Sequence, residues 1–358
     1  MAAYISFKPT DYFMTNQWTG TGVDDLTPTG VGFSSAFTWM KKTNSTDNHA
    51  LYDTARGATK RIMCNEPDPV STITTGLKSW NSDGFVLGTD AEGNADTKTY
   101  TGWNWLGGTT SGITTDGSTT ITPSAYSFNQ TSGFSVLKYT GNGILSPIQK
   151  LAHGLGVAPQ MVIVKNLEST VNWSVYHKQM EASPADWQIQ LDTTSAATNN
   201  AAMWNDTEPD AVNVALGDGS NTNGSSVTHV AYCFAPIQGY SKFGSYYGNG
   251  SSAEGTFIYT GFRPAFVLSK RSHATAGWMI HDNKRPAFNN CNLNLVANST
   301  SAEYTGADGV NRGLNFLSNG FQQTGIDTDS NYAGSTYIYA AFAEFPFVSS
   351  NSKAGVAR

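Results

Sequence analysis

The sequence predicts an all-β protein of three tandem β-sandwich-like repeats with short connections, and three observations predict it. Short runs of β-branched and aromatic residues are cut every few positions by Gly, Asn, Asp and Pro, the pattern of strands joined by tight turns. The chain holds 36 glycines and 12% aromatic residues in 358 positions, enough turns and large side chains for several small β cores. The same ordered set of motifs also recurs three times, and self-similarity of that kind marks a repeat architecture.

Each unit opens on an aromatic-glycine turn: Trp18-Thr-Gly-Thr-Gly22, Tyr139-Thr-Gly-Asn-Gly143 and Tyr246-Tyr-Gly-Asn-Gly250. An apolar strand ending in lysine follows, namely Gly32 to Lys41, Gly156 to Lys165 and Gly261 to Lys270. At one fixed offset after the lysine stand His49, Trp173 and Trp278. They start short strands running to Tyr52-Asp53, Tyr176-His177 and His281-Asp282. The closing pieces are Ser82 to Gly88, the looser Ala211 to Gly217, and Ser318 to Gly325.

After an Asn/Asp/Gly-rich loop come the last strands, Thr99 to Trp105, Thr228 to Phe234 and Thr336 to Phe342. Period-2 alternation places Trp103 with Trp105, Tyr232 with Phe234, and Ala340 with Phe342 on one face, which is read as the core face. The only helical candidates are two short ones, Asp53 to Ile62 and Ser183 to Gln190. The organisation expected is a first repeat with an N-terminal arm over 1–107, then a Gly/Thr/Ser-rich insertion or hairpin over 108–130 with strand-capable Thr119-Thr-Ile-Thr122. The second repeat spans 131–238, the third 239–347, and a C-terminal arm 348–358. Three such units from one chain make either a pseudo-threefold body or a rod.

Charged residues make up only 13%, about half the usual share, so solubility rests on Ser, Thr, Asn and Gly. The net charge is -6, and the densest basic points are only the pairs Lys41-Lys42, Lys60-Arg61 and Lys270-Arg271. A nucleic-acid partner, which needs a basic face, is therefore not expected. Membrane insertion is not expected either, because no apolar run has spanning length. The start, Met1-Ala-Ala-Tyr-Ile-Ser6, lacks the pattern of a secretory signal. Cys64, Cys233 and Cys291 are odd in number and widely spaced, and are read as small residues in reducing conditions.

The acid pairs Glu66 with Asp68 and Glu208 with Asp210, and the single acids Glu303 and Glu344, are the candidates for glycan-hydrolase carboxylates. The first two flank Pro67 and Pro209, where turn chemistry accounts for them. The histidines His49, His153, His177, His229, His273 and His281 are scattered and make no triad pattern. His49 stands where the other units carry Trp and is read as packing. His153 lies in a Gly-flanked turn, and Gly154-Leu-Gly156 is no phosphate loop, since no helix follows it.

Asp327-Thr-Asp329-Ser-Asn331 alternates oxygen ligands as a calcium loop does. Asp90 to Asp96 and Asp218 to Asn223 are its oxygen-rich counterparts. Yet Gly334 comes late and Ile338 stands where the closing Glu belongs, so turns are preferred. Tyr246 and Tyr247, or Trp204, are candidates for stacking on sugars, with core packing the commoner fate. No catalytic, cofactor-binding or metal-binding residue is assigned, no cofactor is expected, and the chain is read as no enzyme.

The segments Ala3-Tyr-Ile-Ser-Phe-Lys-Pro9, Asp53-Thr-Ala-Arg-Gly-Ala-Thr59, His153-Gly-Leu-Gly-Val-Ala-Pro159, Gly239-Tyr-Ser-Lys-Phe-Gly-Ser245 and Tyr337 to Pro346 carry a resemblance. In that order, over essentially the whole chain, they resemble a family of repeat-containing, tail-fibre-like virion proteins of marine tailed phages, cyanophages included. The resemblance implies a virion component assembled in the host bacterial cytoplasm. It would be a tail fibre or tail-associated protein contributing to host attachment, or alternatively a capsid decoration or head fibre. A glycan-degrading tailspike is the weaker rival. Expected partners are other virion proteins of tail or capsid, a host surface glycan or protein, and further copies of the chain. Receptor residues are unknown. Polar loops such as Thr43 to Asp47 and Asn199-Asn200 are where receptor contact would fall.

Overall fold

The computed structural model describes residues 5–286 and 288–348, which leaves nearly all of the expected C-terminal arm outside the described residues. Over them the chain is all-β, with 25 short strands against four helices of four to six residues. No helix among the described residues is long and apolar enough to cross a membrane.

The first sheet draws on β1 (Phe13–Thr19), β2 (Ser35–Lys42), β3 (His49–Asp53), β4 (Lys60–Met63), β5 (Ser71–Thr72) and, after the hairpin β6 (Leu77–Asn81) and β7 (Gly84–Leu87), β8 (Thr99–Leu106). Its order is β1-β8-β2-β3-β4-β5, with β6 and β7 paired separately. The second sheet comprises β9 (Ala125–Asn129), β10 (Phe134–Thr140), β12 (Met161–Asn166), β13 (Ser174–His177), β14 (Trp187–Gln190), β15 (Thr198–Asn199) and β17 (Thr228–Phe234), while β11 (Gln149–Ala152) pairs with β16 (Asn213–Leu216). The third sheet is β18 (Ser241–Tyr247), β20 (Phe262–Arg271), β21 (Trp278–Asp282), β22 (Leu295–Val296) and β25 (Thr336–Pro346). Beside it lie β19 (Phe257–Tyr259), β23 (Leu314–Leu317) and β24 (Gly320–Gln323).

In each main sheet the unit's last strand lies between its first and second: β1-β8-β2-β3, β10-β17-β12-β13 and β18-β25-β20-β21. The registers agree to the residue, with Trp105, Phe234 and Phe342 opposite Phe13, Phe134 and Ser241. Both helical candidates dissolve. Asp53 to Ile62 is a turn leading into β4, and Ser183 to Gln190 is a 3₁₀ turn at Pro184–Asp186 followed by β14. Neither segment is long enough to bury an amphipathic helical face, and Ile62 and Ile189 serve as inward strand residues instead.

The expected core face is buried, and so is its reverse. Trp103, Trp105, Tyr232, Phe234, Ala340 and Phe342 belong to one cluster fed by all three sheets. There Phe37 meets Tyr232 at 4.4 Å between ring centroids, Trp103 meets Phe266 at 5.6 Å, and Phe234 meets Phe342 at 5.7 Å. The reverse faces pack against the small second layers in three separate clusters, exemplified by Tyr52 with Phe85, Tyr176 with Trp204, and Tyr339 with Phe321. The three sheets therefore stand back to back around one aromatic centre, the pseudo-threefold body rather than the rod. Burying each such ring stabilises by roughly 1.5–3 kcal/mol, so the shared core ties the units together strongly.

Polar contacts run around this centre in one direction. Asp53, His177 and Asp282 each end the third strand of a unit and bond to the last strand of the next. Tyr232 Oη donates to Asp53 at 2.6 Å, Trp103 Nε1 donates to Asp282 at 3.1 Å, and His177 Nε2 lies 3.0 Å from the Tyr339 carbonyl. The opposite ends of the same strands reach back to the preceding unit. Trp173 Nε1 donates to the Met63 carbonyl at 3.1 Å and Trp278 Nε1 to that of Gln190 at 2.8 Å. His49 Nε2 lies 3.1 Å from the Val296 carbonyl, while its Nδ1 accepts from Trp39 Nε1 at 3.0 Å. Those partners leave the hydrogen on Nε2, so this imidazole makes the bond that an indole makes in the other units.

The strand-ending lysines are buried, not solvating. Lys165 Nζ donates to the Pro67 carbonyl at 2.7 Å, Lys41 to that of Thr300 at 3.3 Å and Lys270 to that of Thr194 at 3.4 Å, each in a neighbouring unit. Burial brings all three ammonium groups down to about 8.

The aromatic-glycine turns have a common lock. Gly22, Gly143 and Gly250 take φ near +67°, which glycine adopts without strain. Their N–H groups donate to the carbonyls of Asn94, Asn223 and Asn331 at 2.8–2.9 Å. The side chains of these fully buried asparagines return the grip: Asn223 Oδ1 accepts from Asn142 N at 2.8 Å and its Nδ2 donates to the Gly217 carbonyl at 2.7 Å. Rings stack beside each lock, Trp18 on Tyr100, Tyr139 on His229 and Tyr246 on Tyr337, 5.0–5.4 Å apart. Replacing Asn223 by Ala strands both backbone groups, and urea denaturation is expected to show a loss of about 1–3 kcal/mol. An unchanged midpoint would show that the lock contributes nothing to stability.

Candidate functional site

Most of the reactive residue types are consumed by the fold. His153 Nε2 lies 3.1 Å from the Asp210 carbonyl while its Nδ1 accepts from Leu155 N at 3.2 Å. His229 lies against the Val227 and Ser220 carbonyls, and His281 against that of Arg312 at 2.7 Å. Burial lowers the pKa of these three, His49 and His177, reaching about 4 at His177 and His281. His273 alone is exposed, 3.1 Å from Glu181. The three thiols are buried, and burial raises Cys64 well above the usual thiol range and Cys233 to about 12, which leaves both protonated.

The carboxylates are placed as turn and ion-pair groups. Asp210 accepts from the backbone N–H of Val212 and Asn213 at 2.8 and 2.7 Å and faces Lys150 at 3.2 Å. Glu208 pairs with Lys178, Glu344 lies 3.1 Å from Arg263, and Glu303 lies 2.7 Å from Arg285. Glu66 accepts from Asn65 at 3.3 Å. The oxygens of the calcium-like loop are likewise engaged. Asp327 accepts from Asp329 N, Asp329 accepts from Gly277 N at 2.6 Å, and Arg312 stands 3.3 and 3.5 Å from the two acids. Among the described residues no group of three or more His, Cys, Asp or Glu is arranged to hold a metal ion.

The proposed polar loops divide. Asn44 Oδ1 accepts from Thr99 N at 3.2 Å and Asp47 pairs with Lys42, so the first is braced from within. Asn199 is exposed at the end of β15, while Asn200 caps the helix Ala201–Trp204.

The surface feature best shaped for recognition lies on the third unit, between the edge strand β18 and β19. It is an open trough of about 540 Å³ lined by Lys242, Gly244, Tyr247, Thr256, Phe257 and Tyr259 among others. Tyr247 is 70% exposed, Phe257 48% and Tyr259 50%, so three aromatic side chains stand in solvent around one depression. Lys242 Nζ donates to the Tyr259 carbonyl at 2.7 Å and sits 5.4 Å from that ring's centroid. Gly244 forms part of the floor, where any Cβ would come within 2.5 Å of Tyr339 Oη.

Of the three aromatics weighed for stacking, Tyr246 and Trp204 are core and Tyr247 is free. Phe257 and Tyr259 were missed. Their strand signal was present, but only the third dimension shows that the β19 edge carries them outward.

No curated protein matches this sequence. One family model covers residues 8–346, nearly the whole described fold, and the chain therefore belongs to the DUF7483 family, a domain of unknown function.

Proposed function

We propose that this chain is a non-enzymatic structural and attachment module of a tailed-phage particle, most simply a tail fibre or tail-associated component. The observation that supports the reading best is the shared aromatic centre. It makes one rigid body from three sheets and commits the buried histidines, lysines and acids to holding that body together. A scaffold of this kind acts through what it displays, here the loops and the aromatic trough at its rim. The resemblance of the sequence to virion proteins of marine phages supplies the setting. Assembly in the host cytoplasm would precede release in the particle. Its partners would be neighbouring tail or capsid proteins, further copies of itself, and a host surface glycan or protein.

The test is a cryo-electron density map of purified particles with this chain traced in it. Density at the tail is expected. Density on the capsid lattice would replace the tail assignment by capsid decoration, and absence of the chain from purified particles would overturn the reading. Release of sugar from host envelope preparations by the purified protein would overturn its non-enzymatic part.

A further inference from the structure

The three main sheets differ at one edge. In the second sheet β9, supplied by the 108–130 insertion, lies antiparallel along β10 from Phe134 opposite Asn129 to Lys138 opposite Ala125. The corresponding strand of the third sheet is β18, since Phe134 and Ser241 lie opposite the equivalent residues Phe234 and Phe342. No strand lies on the outer side of β18 among the described residues.

The backbone of β18 is set to receive one. Gly248 N donates to the Ser335 carbonyl and Ala343 N to that of Tyr240, so even-numbered residues turn their backbone groups toward β25. The register between them is continuous, so Phe243 and Ser245 direct their N–H and C=O groups to the outside. Lys138, the counterpart of Ser245, uses its outward carbonyl to accept from Ser124 N at 2.7 Å. The ends of the open edge are already closed: Ser241 exchanges backbone bonds with Ile237, and Tyr247 O accepts from Thr256 Oγ1 at 2.7 Å. What remains is a slot one short strand long, flanked by exposed Tyr247, Phe257 and Tyr259. On β1, the counterpart in the first sheet, Asn16 instead reaches the Thr29 carbonyl at 3.4 Å and Thr15 is buried.

We infer that the β18 edge docks an extended segment of a different polypeptide chain, antiparallel as β9 lies on β10 and carrying an acidic residue opposite Lys242. Backbone pairing at Phe243 and Ser245 provides the affinity, and alternate side chains entering the aromatic trough provide the selectivity. The acidic residue follows from charge. Among the described residues Lys242 is the only charged group lining the trough, and burial already lowers its pKa, so a carboxylate beside it restores a compensated ammonium. The geometry of this edge is the same wherever the protein resides.

The test uses the full chain and a synthetic peptide of residues 124–130 carrying Phe128→Glu, the position that falls opposite Lys242. Hydrogen exchange read by NMR is expected to slow about tenfold at the Phe243 and Ser245 amides when free peptide is ~10 times its Kd. The Gly244 and Tyr246 amides, already facing β25, should not change. Ser245→Pro removes only an outward N–H, a tolerated edge substitution, and should abolish the slowing. Lys242→Glu should weaken the same peptide several-fold and recover binding when the peptide carries Phe128→Lys. Unchanged exchange at millimolar peptide would overturn the inference. So would slow exchange in the protein alone that vanishes together with a dimer in Ser245→Pro, because a second copy would then own the edge.

Discussion

Between pH 7 and pH 4.5 the protein is expected to lose on the order of 5 kcal/mol of folding stability through His177 and His281 alone. Both imidazoles are fully buried with folded pKa values near 4, against 6.5 for the unfolded chain. Between those values the unfolded chain takes up protons that the folded protein refuses, so stability is full above pH 6.5 and drains as pH falls through 4. His49, held well below its ordinary value, adds in the same direction. Glu92, Asp192 and Glu303, raised by burial, work the other way by holding protons in the folded state.

The variant His281→Gln separates these contributions, because the amide can still donate to the Arg312 carbonyl without titrating. Urea midpoints taken across the pH range should show its slope reduced by about 1.4 kcal/mol per pH unit. A wild-type midpoint that is flat from pH 6.5 to 4.5 would show that these histidines are not held neutral.

The second large effect is expected from Asp53. Its carboxylate accepts from Arg56 Nε at 2.5 Å and from Tyr232 Oη at 2.6 Å, with both members of the ion pair almost wholly inaccessible. Asp53→Ala leaves the guanidinium buried without a carboxylate, which costs about 3–5 kcal/mol. The equivalent Asp282→Ala should cost less, because Arg285 keeps Glu303 at 2.7 Å. The second unit shows how the same place is filled without charge. There His177 and Met180 occupy the positions of Asp and Arg, and Met180 joins the central core.

Carrying both residues across, as Asp53→His with Arg56→Met, should therefore recover much of what Asp53→Ala alone loses. Removing a whole buried pair spares the uncompensated charge that removing half of it creates. Equal losses for the single Asp53 variant and the double variant would show that packing around the site, and not the ion pair, sets the cost.

Much of the fold was legible in the sequence, for local reasons. Alternation in Thr99 to Trp105 and its counterparts defines strands and sorts their side chains to two faces. The turn motifs mark where glycine must take positive φ, and the Trp-to-His exchange at position 49 identifies a packing site. The basic pairs illustrate the limit. In the sequence Lys41 and Lys270 merely end apolar strands, yet both lie inside, where carbonyls of a neighbouring unit accept hydrogen bonds from their ammonium groups. Nothing within ten residues of either lysine signals that.

The sequence by itself determined the class, the main strands of each unit and their succession along the chain, and one face of every last strand as core. The tertiary structure decided that the opposite face is core as well, that three sheets close on a common centre, and that β9 covers the edge of one sheet while β18 has no such strand among the described residues. Alternation is a property of one backbone and records which side chains lie together. What lies against each face is set by residues hundreds of positions away, and only the folded chain brings those surfaces together.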